Sequence, residues 1–86
     1  METNPVYYGL TAKIVLKEIG KNRIGLVKII KSRIIQKDAV KIVATANQLK
    51  SVAPKLEVTL ICTRNICSKS IALLEREGVD IEFVEL

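Results

Sequence analysis

The fold is decided by the stretch LEVTLICTRNICSKSIALLEREGVDIEFVEL, which covers residues 56–86. Residues 56–63 form a mainly apolar run typical of a buried strand, and residues 68–77 predict a short helix that ends at Gly78. Residues 79–83 alternate apolar and acidic side chains, as a half-exposed strand does. Strand, helix and strand within about thirty residues make a βαβ unit, in which a right-handed crossover leaves the two strands parallel.

Two further strands are predicted ahead of this unit. Residues 11–19 place apolar side chains at every second position, which favours a strand over the alternative of a helix continuing from Pro5. Residues 20–23 contain the Gly and Asn of a turn, and residues 24–30 form the second strand. The two strands are therefore expected to pair as an antiparallel hairpin.

A helix is predicted over residues 36–52. Its apolar side chains recur at helical spacing, Asp38 stands in the first turn where the helix dipole favours an acid, and Pro54 prevents continuation. The predicted fold is a single α/β domain over residues 1–86, with a small mixed sheet, helices packed on it and the order ββαβαβ. Residues 1–10 are expected to be either flexible or a segment that covers the core.

The net charge of +5 is unevenly distributed along the chain. Residues 1–55 contain eleven Lys and Arg against three acids, whereas residues 56–86 contain three Lys and Arg against six acids. A basic region of this kind indicates a surface that meets nucleic acid, although a well-solvated charged surface is the alternative. We predict that the hairpin region contacts the phosphate backbone of nucleic acid, with DNA favoured over RNA. The predicted contact residues are Lys13, Lys17, Lys21, Arg23, Lys28, Lys31 and Arg33.

A second candidate site follows the apolar strand at residues 56–63. Ligands bind open α/β sheets at the carboxyl ends of parallel strands, and the free N–H groups of a helix N-terminus attract anions. Ser68 is the predicted N-cap of the following helix. An ordinary capped helix with two surface cations is the alternative. The candidate anion-binding residues are Arg64, Asn65, Ser68 and Lys69.

Catalysis and metal binding find little support in the sequence. The chain has no His, and its four glycines are isolated, so the commonest general base and a glycine-rich phosphate loop are both missing. Two cysteines are too few for a zinc site. Cys62 is expected to pack as a small apolar residue, and Cys67 to lie where a helix N-terminus stabilises a thiolate. A disulfide between them is the alternative. No metal and no cofactor are expected.

The chain contains, in order, the segments IGLVKII (residues 24–30), KDAVK (37–41), VTLICT (58–63), SIALL (70–74) and GVDI (78–81). This order resembles the restriction-endonuclease-like superfamily, in particular the archaeal Holliday-junction resolvases and Mrr-type nucleases. Members of those families have a strand ending in an acid-x-Lys motif, a helix, an apolar strand, a second helix and a closing strand after a glycine. The resemblance implies a nuclease-like core.

The departure from that family pattern concerns the metal-binding acids. Lys28 fits the lysine of the motif, but Leu26 stands where the acid belongs, and Glu18 is the only acid in the hairpin. The resemblance therefore implies a DNA-contacting surface, commonly in a two-fold dimer, without the hydrolysis that the acids support. By the same resemblance, Lys28, Lys31 and Arg33 are expected to lie near the bound backbone.

Three functions follow from these patterns. The first is a non-catalytic nucleic-acid-binding protein, expected to be a homodimer. The second is a homo-oligomeric scaffold that assembles through a helix face or through a sheet edge, such as the strand at residues 79–86. The third is an enzyme, either a cryptic metal-dependent nuclease that uses Glu18 and Lys28 or an enzyme acting on a small molecule at residues 64–69. With no signal peptide and no apolar stretch of about 20 residues, a cytoplasmic protein without membrane contact is expected.

Overall fold

The computed structural model describes residues 1–85 and contains four strands, two α-helices and a short 3-10 helix. The predicted small mixed α/β fold, with a four-stranded sheet and two helices, is confirmed. Leu86, the last residue of the predicted closing segment, lies outside the described residues. In chain order the elements are the 3-10 helix Pro5–Tyr8, β1 Val15–Gly20, β2 Arg23–Val27, α1 Gln36–Val52, β3 Glu57–Cys62, α2 Ser68–Arg76 and β4 Asp80–Phe83.

The strands lie in the sheet in the order β1-β2-β3-β4, which is also their order along the chain. β1 and β2 are antiparallel, whereas β2, β3 and β4 are parallel to one another. α1 connects β2 to β3, and α2 connects β3 to β4. Both helices pack on the same face of the sheet, because they contact each other and share one apolar core with it. β1 and β4 form the two edges.

The core lies between this helical layer and the sheet. Alternate residues of β2 and β3 point toward the helices, as the period of two requires, and α1 contributes residues at helical spacing. Leu60, in the central part of β3, and Leu74 of α2 are fully buried. The principal core residues are Ile24, Leu26, Ala39, Ile42, Ala46, Leu49, Val58, Leu60, Cys62 and Leu74.

The hairpin is shorter than its sequence pattern predicts. β1 begins at Val15 rather than at residue 11, because pairing with β2 starts only where Val15 meets Val27. Residues 11–14 form a turn, in which the Ile14 amide donates to the Thr11 carbonyl at 3.2 Å. β2 ends at Val27 rather than at residue 30, since the chain then turns away toward α1. The predicted turn between the strands is present, with Asn22 at a φ of 57°, a conformation that Asn tolerates.

The first ten residues include a segment that covers the core. Pro5–Tyr8 is a single 3-10 turn, so no helix continues from Pro5 into the hairpin. Tyr8 is buried against the core, while Tyr7 is exposed. The Gln48 side-chain amide donates to the Tyr8 carbonyl at 2.8 Å, which ties the segment to α1.

The face of the sheet opposite the helices carries no covering element among residues 1–85, and we call it the open face. Ile61 lies on this face yet is only 7% exposed. Its burial depends on Gly25, since a Cβ there would stand 2.5 Å from Ile61 Cδ1 and 3.2 Å from Ile19 Cγ2. Ile19 and Ile61 can therefore pack against each other over the glycine. No helix of the described residues is long and apolar enough to cross a membrane.

Candidate nucleic-acid interface

The loop after β2 and the loop after β3 lie side by side at the carboxyl ends of the parallel strands. Ile34 and Ile66 form a parallel bridge between the two loops. The Ile34 amide donates to the Asn65 carbonyl at 2.9 Å, and the Cys67 amide donates to the Ile34 carbonyl at 3.0 Å. α1 and α2 begin directly after these loops, so both helix N-termini open toward this edge of the sheet. Their free N–H groups and the positive ends of their dipoles add to the positive potential there.

Three lysines from three different elements line one pocket beside this edge. Lys13 precedes β1, Lys28 follows β2, and Lys41 lies in the second turn of α1. The pocket has a volume of about 420 Å³, and the rest of its described lining is apolar apart from Thr45. No carboxylate of the described residues lines it. The pocket therefore combines three lysine side chains with an apolar lining.

Further cations extend this surface across the two loops. Lys31 and Arg33 lie in the loop after β2, and Lys37 and Lys69 lie in the first turns of α1 and α2. All four are exposed, as is Arg64 in the loop after β3. We call the whole set the basic edge. Its members are Lys13, Lys28, Lys31, Arg33, Lys37, Lys41, Arg64 and Lys69.

Within residues 1–85, two acids accompany the basic edge, and each already has a partner. Asp38 accepts a hydrogen bond from the Ile35 amide at 3.1 Å, which caps the start of α1. Glu85 lies 3.8 Å from the Arg64 guanidinium, which also stands 5.1 Å from the centre of the Phe83 ring. Asp38 and Glu85 together offset two of the eight positive charges of the basic edge, so an excess of cations remains.

The structure separates the seven cations predicted to bind phosphate. Lys13, Lys28, Lys31 and Arg33 belong to the basic edge. Lys21 and Arg23 lie at the opposite end of the antiparallel hairpin, roughly 15–20 Å away at about 3.4 Å per residue, and Lys17 lies on the open face. Arg23 is also paired, with its Nε 3.7 Å from a Glu57 carboxylate oxygen. The hairpin therefore does not present one continuous basic surface.

Two members of the basic edge, Lys37 and Lys41, belong to neither of the two sites predicted from the sequence. Both side chains are exposed on α1. Their spacing of four places them on one side of the helix, next to the N-terminus that follows the basic loop. That combination is the signal that could have identified them.

The candidate anion site at the start of α2 requires a correction. Cys67 is the N-cap, and Ser68 is the first residue of the helix rather than its cap. The Cys67 carbonyl accepts from the Ser70 and Ile71 amides, at 3.1 and 3.2 Å, as an N-cap carbonyl does. Asn65 uses its backbone to bond the neighbouring loop. Lys69 remains available as an exposed cation, whereas Arg64 is exposed but paired with Glu85.

The two cysteines are free thiols in different environments. Cys62 is fully buried in the core, and burial raises the pKa of its thiol. Cys67 Sγ lies 2.9 Å from Ser70 Oγ. The Ser70 hydroxyl is the main cause that lowers the pKa of Cys67, with smaller contributions from nearby backbone N–H groups and from Arg33. Cys67 is therefore the more acidic thiol of the two.

We expect iodoacetamide to modify Cys67 and to spare Cys62 in the folded protein. The thiolate is the reacting form, so a lowered pKa shifts the reaction of Cys67 to lower pH. Ser70→Ala removes the hydroxyl donor and raises this pKa. The rate of modification at pH 7 then falls by about threefold for each unit by which the pKa increases. The smaller fraction of thiolate is partly offset by the greater nucleophilicity of the thiolate that remains. Mass spectrometry over a pH series measures both rates. Cys67→Ser is the control, and faster labelling of Cys62 than of Cys67 contradicts the assignment.

Glu18 and Lys28 do not come together as a cryptic nuclease would need. Glu18 pairs with Ile24, and Lys28 lies four residues further along, about 13 Å at the rise of a strand. In the described part of the chain, no group of three or more His, Cys, Asp or Glu side chains could hold a metal ion.

No protein-family model, curated protein or solved structure matches this chain. The resemblance to the restriction-endonuclease-like superfamily stays a prediction. Function is therefore inferred from the geometry and charge of the basic edge.

Proposed function

We propose that this protein binds the phosphate backbone of nucleic acid through the basic edge, without hydrolysing it. The observation that supports this is the segregation of charge around the sheet. At the carboxyl ends of the parallel strands, the cations of two loops and two helix N-termini far outnumber the acids. At the opposite ends cations and acids are mixed, with Lys21, Lys55 and Arg76 among Glu57, Glu77 and other acids.

The binding mode follows from the kind of residues present. Lysines and arginines on loops and helix ends contact phosphates, which fix position but do not read sequence. The described residues offer no exposed recognition helix rich in Asn, Gln or Arg. Binding is therefore expected to depend on the shape of the nucleic acid more than on its sequence. The longest extent of the molecule is 29 Å, enough for about eight base pairs at 3.4 Å each.

The proposal includes the nuclease-like core that the family resemblance implies, without the metal-binding acids of that family. That resemblance implies backbone contacts by Lys28, Lys31 and Arg33, and all three are members of the basic edge. The four-stranded mixed sheet with two helices is compatible with it. DNA is the favoured ligand on this basis, with RNA as the competitor that the experiment includes.

The test is fluorescence anisotropy with labelled duplex DNA, single-stranded DNA, a four-way junction and duplex RNA, each at 50 and 200 mM salt. If four to six phosphates are engaged, the affinity for duplex DNA falls about 10²- to 10³-fold between the two salt concentrations, because each contact adds about −0.9 to the log–log slope. The affinity per binding site is expected to be the same for a 12-base-pair duplex as for a longer duplex. No binding at 50 mM salt, or an affinity that ignores salt, overturns the proposal.

A further inference from the structure

The open face carries opposite charges on its two sides. The strand register places Lys17, Gly25, Thr59 and Asp80 in one row across the sheet. Lys17 on β1 and Asp80 on β4 are exposed, and they stand about 14 Å apart at three strand spacings. Glu82, next on the same face of β4, adds to the acidic side. The face is therefore basic toward β1 and acidic toward β4.

The middle of the open face is apolar. In the neighbouring row, Val27 and Ile61 occupy the two central strands, and Val15 extends the apolar surface onto the edge strand β1, where it is 55% exposed. Ile19 packs beside Ile61 over Gly25. An apolar centre with charged flanks is the composition of a protein–protein interface.

A buried polar group on this face lacks a partner. Thr59 is 3% exposed, and its hydroxyl makes no hydrogen bond to any described residue. It lines an open depression of about 640 Å³, whose walls include Lys17, Arg23, Asp80 and Glu82. Buried hydroxyls normally find a partner, so this one marks a face that another layer would complete.

We propose that a second copy of this chain covers the open face, with the two sheets packed face to face about a two-fold axis. The axis lies midway between the two sheets, runs parallel to the strands and passes over the gap between β2 and β3. This axis places β1 of one copy over β4 of the other, so that Lys17 faces Asp80 twice in the dimer. Sheets pack about 10 Å apart, a gap that a lysine and an aspartate side chain bridge together.

The charge pattern selects this axis among the alternatives. A two-fold axis perpendicular to the strands would put β1 over β1 and β4 over β4, with like charges facing each other. Antiparallel pairing of two β4 edges is one interface predicted from the sequence. In the register centred on Ile81, it would set Asp80 of one copy opposite Glu82 of the other, which is destabilising. Face-to-face packing about the parallel axis brings opposite charges together at both flanks.

The test uses charge reversal at the two exposed positions, with sedimentation velocity as the measurement. Lys17→Asp and Asp80→Lys are each expected to weaken the dimer about tenfold or more, since two attractive pairs become repulsive. The double variant Lys17→Asp with Asp80→Lys restores the pairs and brings the dimer affinity back toward the original. Circular dichroism confirms that each variant is folded.

Matched controls carry the same charge changes elsewhere. Lys55→Asp and Glu77→Lys are exposed and off the open face, and they are expected to leave the dimer unchanged. In an edge-paired dimer, Asp80→Lys would instead strengthen association, because the introduced ammonium group would then oppose Glu82 of the other copy. A monomeric protein at several hundred micromolar, a tighter Asp80→Lys dimer, or a double variant as weak as the single ones overturns the proposal. None of these results depends on nucleic acid.

Discussion

Replacing Lys13, Lys28 and Lys41 together by Gln is expected to lower the affinity for duplex DNA by about 10²- to 10³-fold at 0.1 M salt, and to reduce the salt slope by about 2.7. These three lysines line one pocket of the basic edge without an accompanying acid in its described lining. Each lysine that contacts a phosphate releases condensed counterions from the DNA, and the entropy gained by these ions favours binding. Replacing the lysine by Gln removes that gain. Anisotropy titrations at four salt concentrations measure both quantities.

The matched control is the triple change Lys21→Gln, Lys50→Gln and Lys55→Gln. It removes the same charge from the opposite ends of the strands and of α1, and in both triples one lysine is half-buried and two are exposed. We expect a loss of less than about tenfold and an unchanged slope, because no direct phosphate contact is removed. Equal losses in the two triples would mean that total charge governs binding, and the basic edge would then have no special role.

Leu60→Ala is expected to lower the free energy of unfolding by about 2–5 kcal/mol. Leu60 is fully buried in β3, an interior strand of the sheet, and the cavity left by its side chain lies where the sheet meets both helices. Domains of this size have total stabilities of only about 5–15 kcal/mol, so the variant loses a large part of its stability. Urea unfolding followed by circular dichroism measures the change.

The control for Leu60→Ala is Val40→Ala, which also shortens an apolar side chain. Val40 is 57% exposed on α1, so its truncation leaves no cavity and changes stability by less than about 0.5 kcal/mol. Both are compared at one protein concentration, because dimerisation would add a concentration-dependent term. A Leu60→Ala effect below about 1 kcal/mol would contradict the burial of this side chain.

The helices were predicted more accurately than the hairpin, for a physical reason. α1 spans Gln36–Val52 as predicted, because helix formation depends on local spacing and the segment carries its own signals, Asp38 at the start and Pro54 beyond the end. Strand length depends on a partner far along the chain. The alternation beginning at residue 11 continues past the point where β2 is available, so β1 is shorter than its pattern.

The candidate site could be predicted only in part from the sequence. A count of charge along the chain groups Lys21 with Lys28, but these residues lie at the two ends of β2, so the length of that strand separates them. Lys41 joins the basic edge through its position on α1, and only its spacing from Lys37 beside the helix N-terminus indicates this in the sequence. Ser68 is a better N-cap residue by type than Cys67, yet Cys67 is the N-cap, and its amide donates to the Ile34 carbonyl beside the bridge between Ile34 and Ile66.

The order of the strands in the sheet has a consequence for how the chain folds during synthesis. Each strand after β1 pairs with the one made immediately before it, so its first partner has already been translated. The β1–β2 hairpin alone is marginal, since a two-stranded ribbon buries little apolar surface. Once α1 and β3 have emerged, the ribbon gains a third strand and a helical cover, and β4 adds to an edge that already exists. The edges of β2 and β3 that await the next strand, which would promote aggregation of nascent chains, are therefore unpaired only briefly.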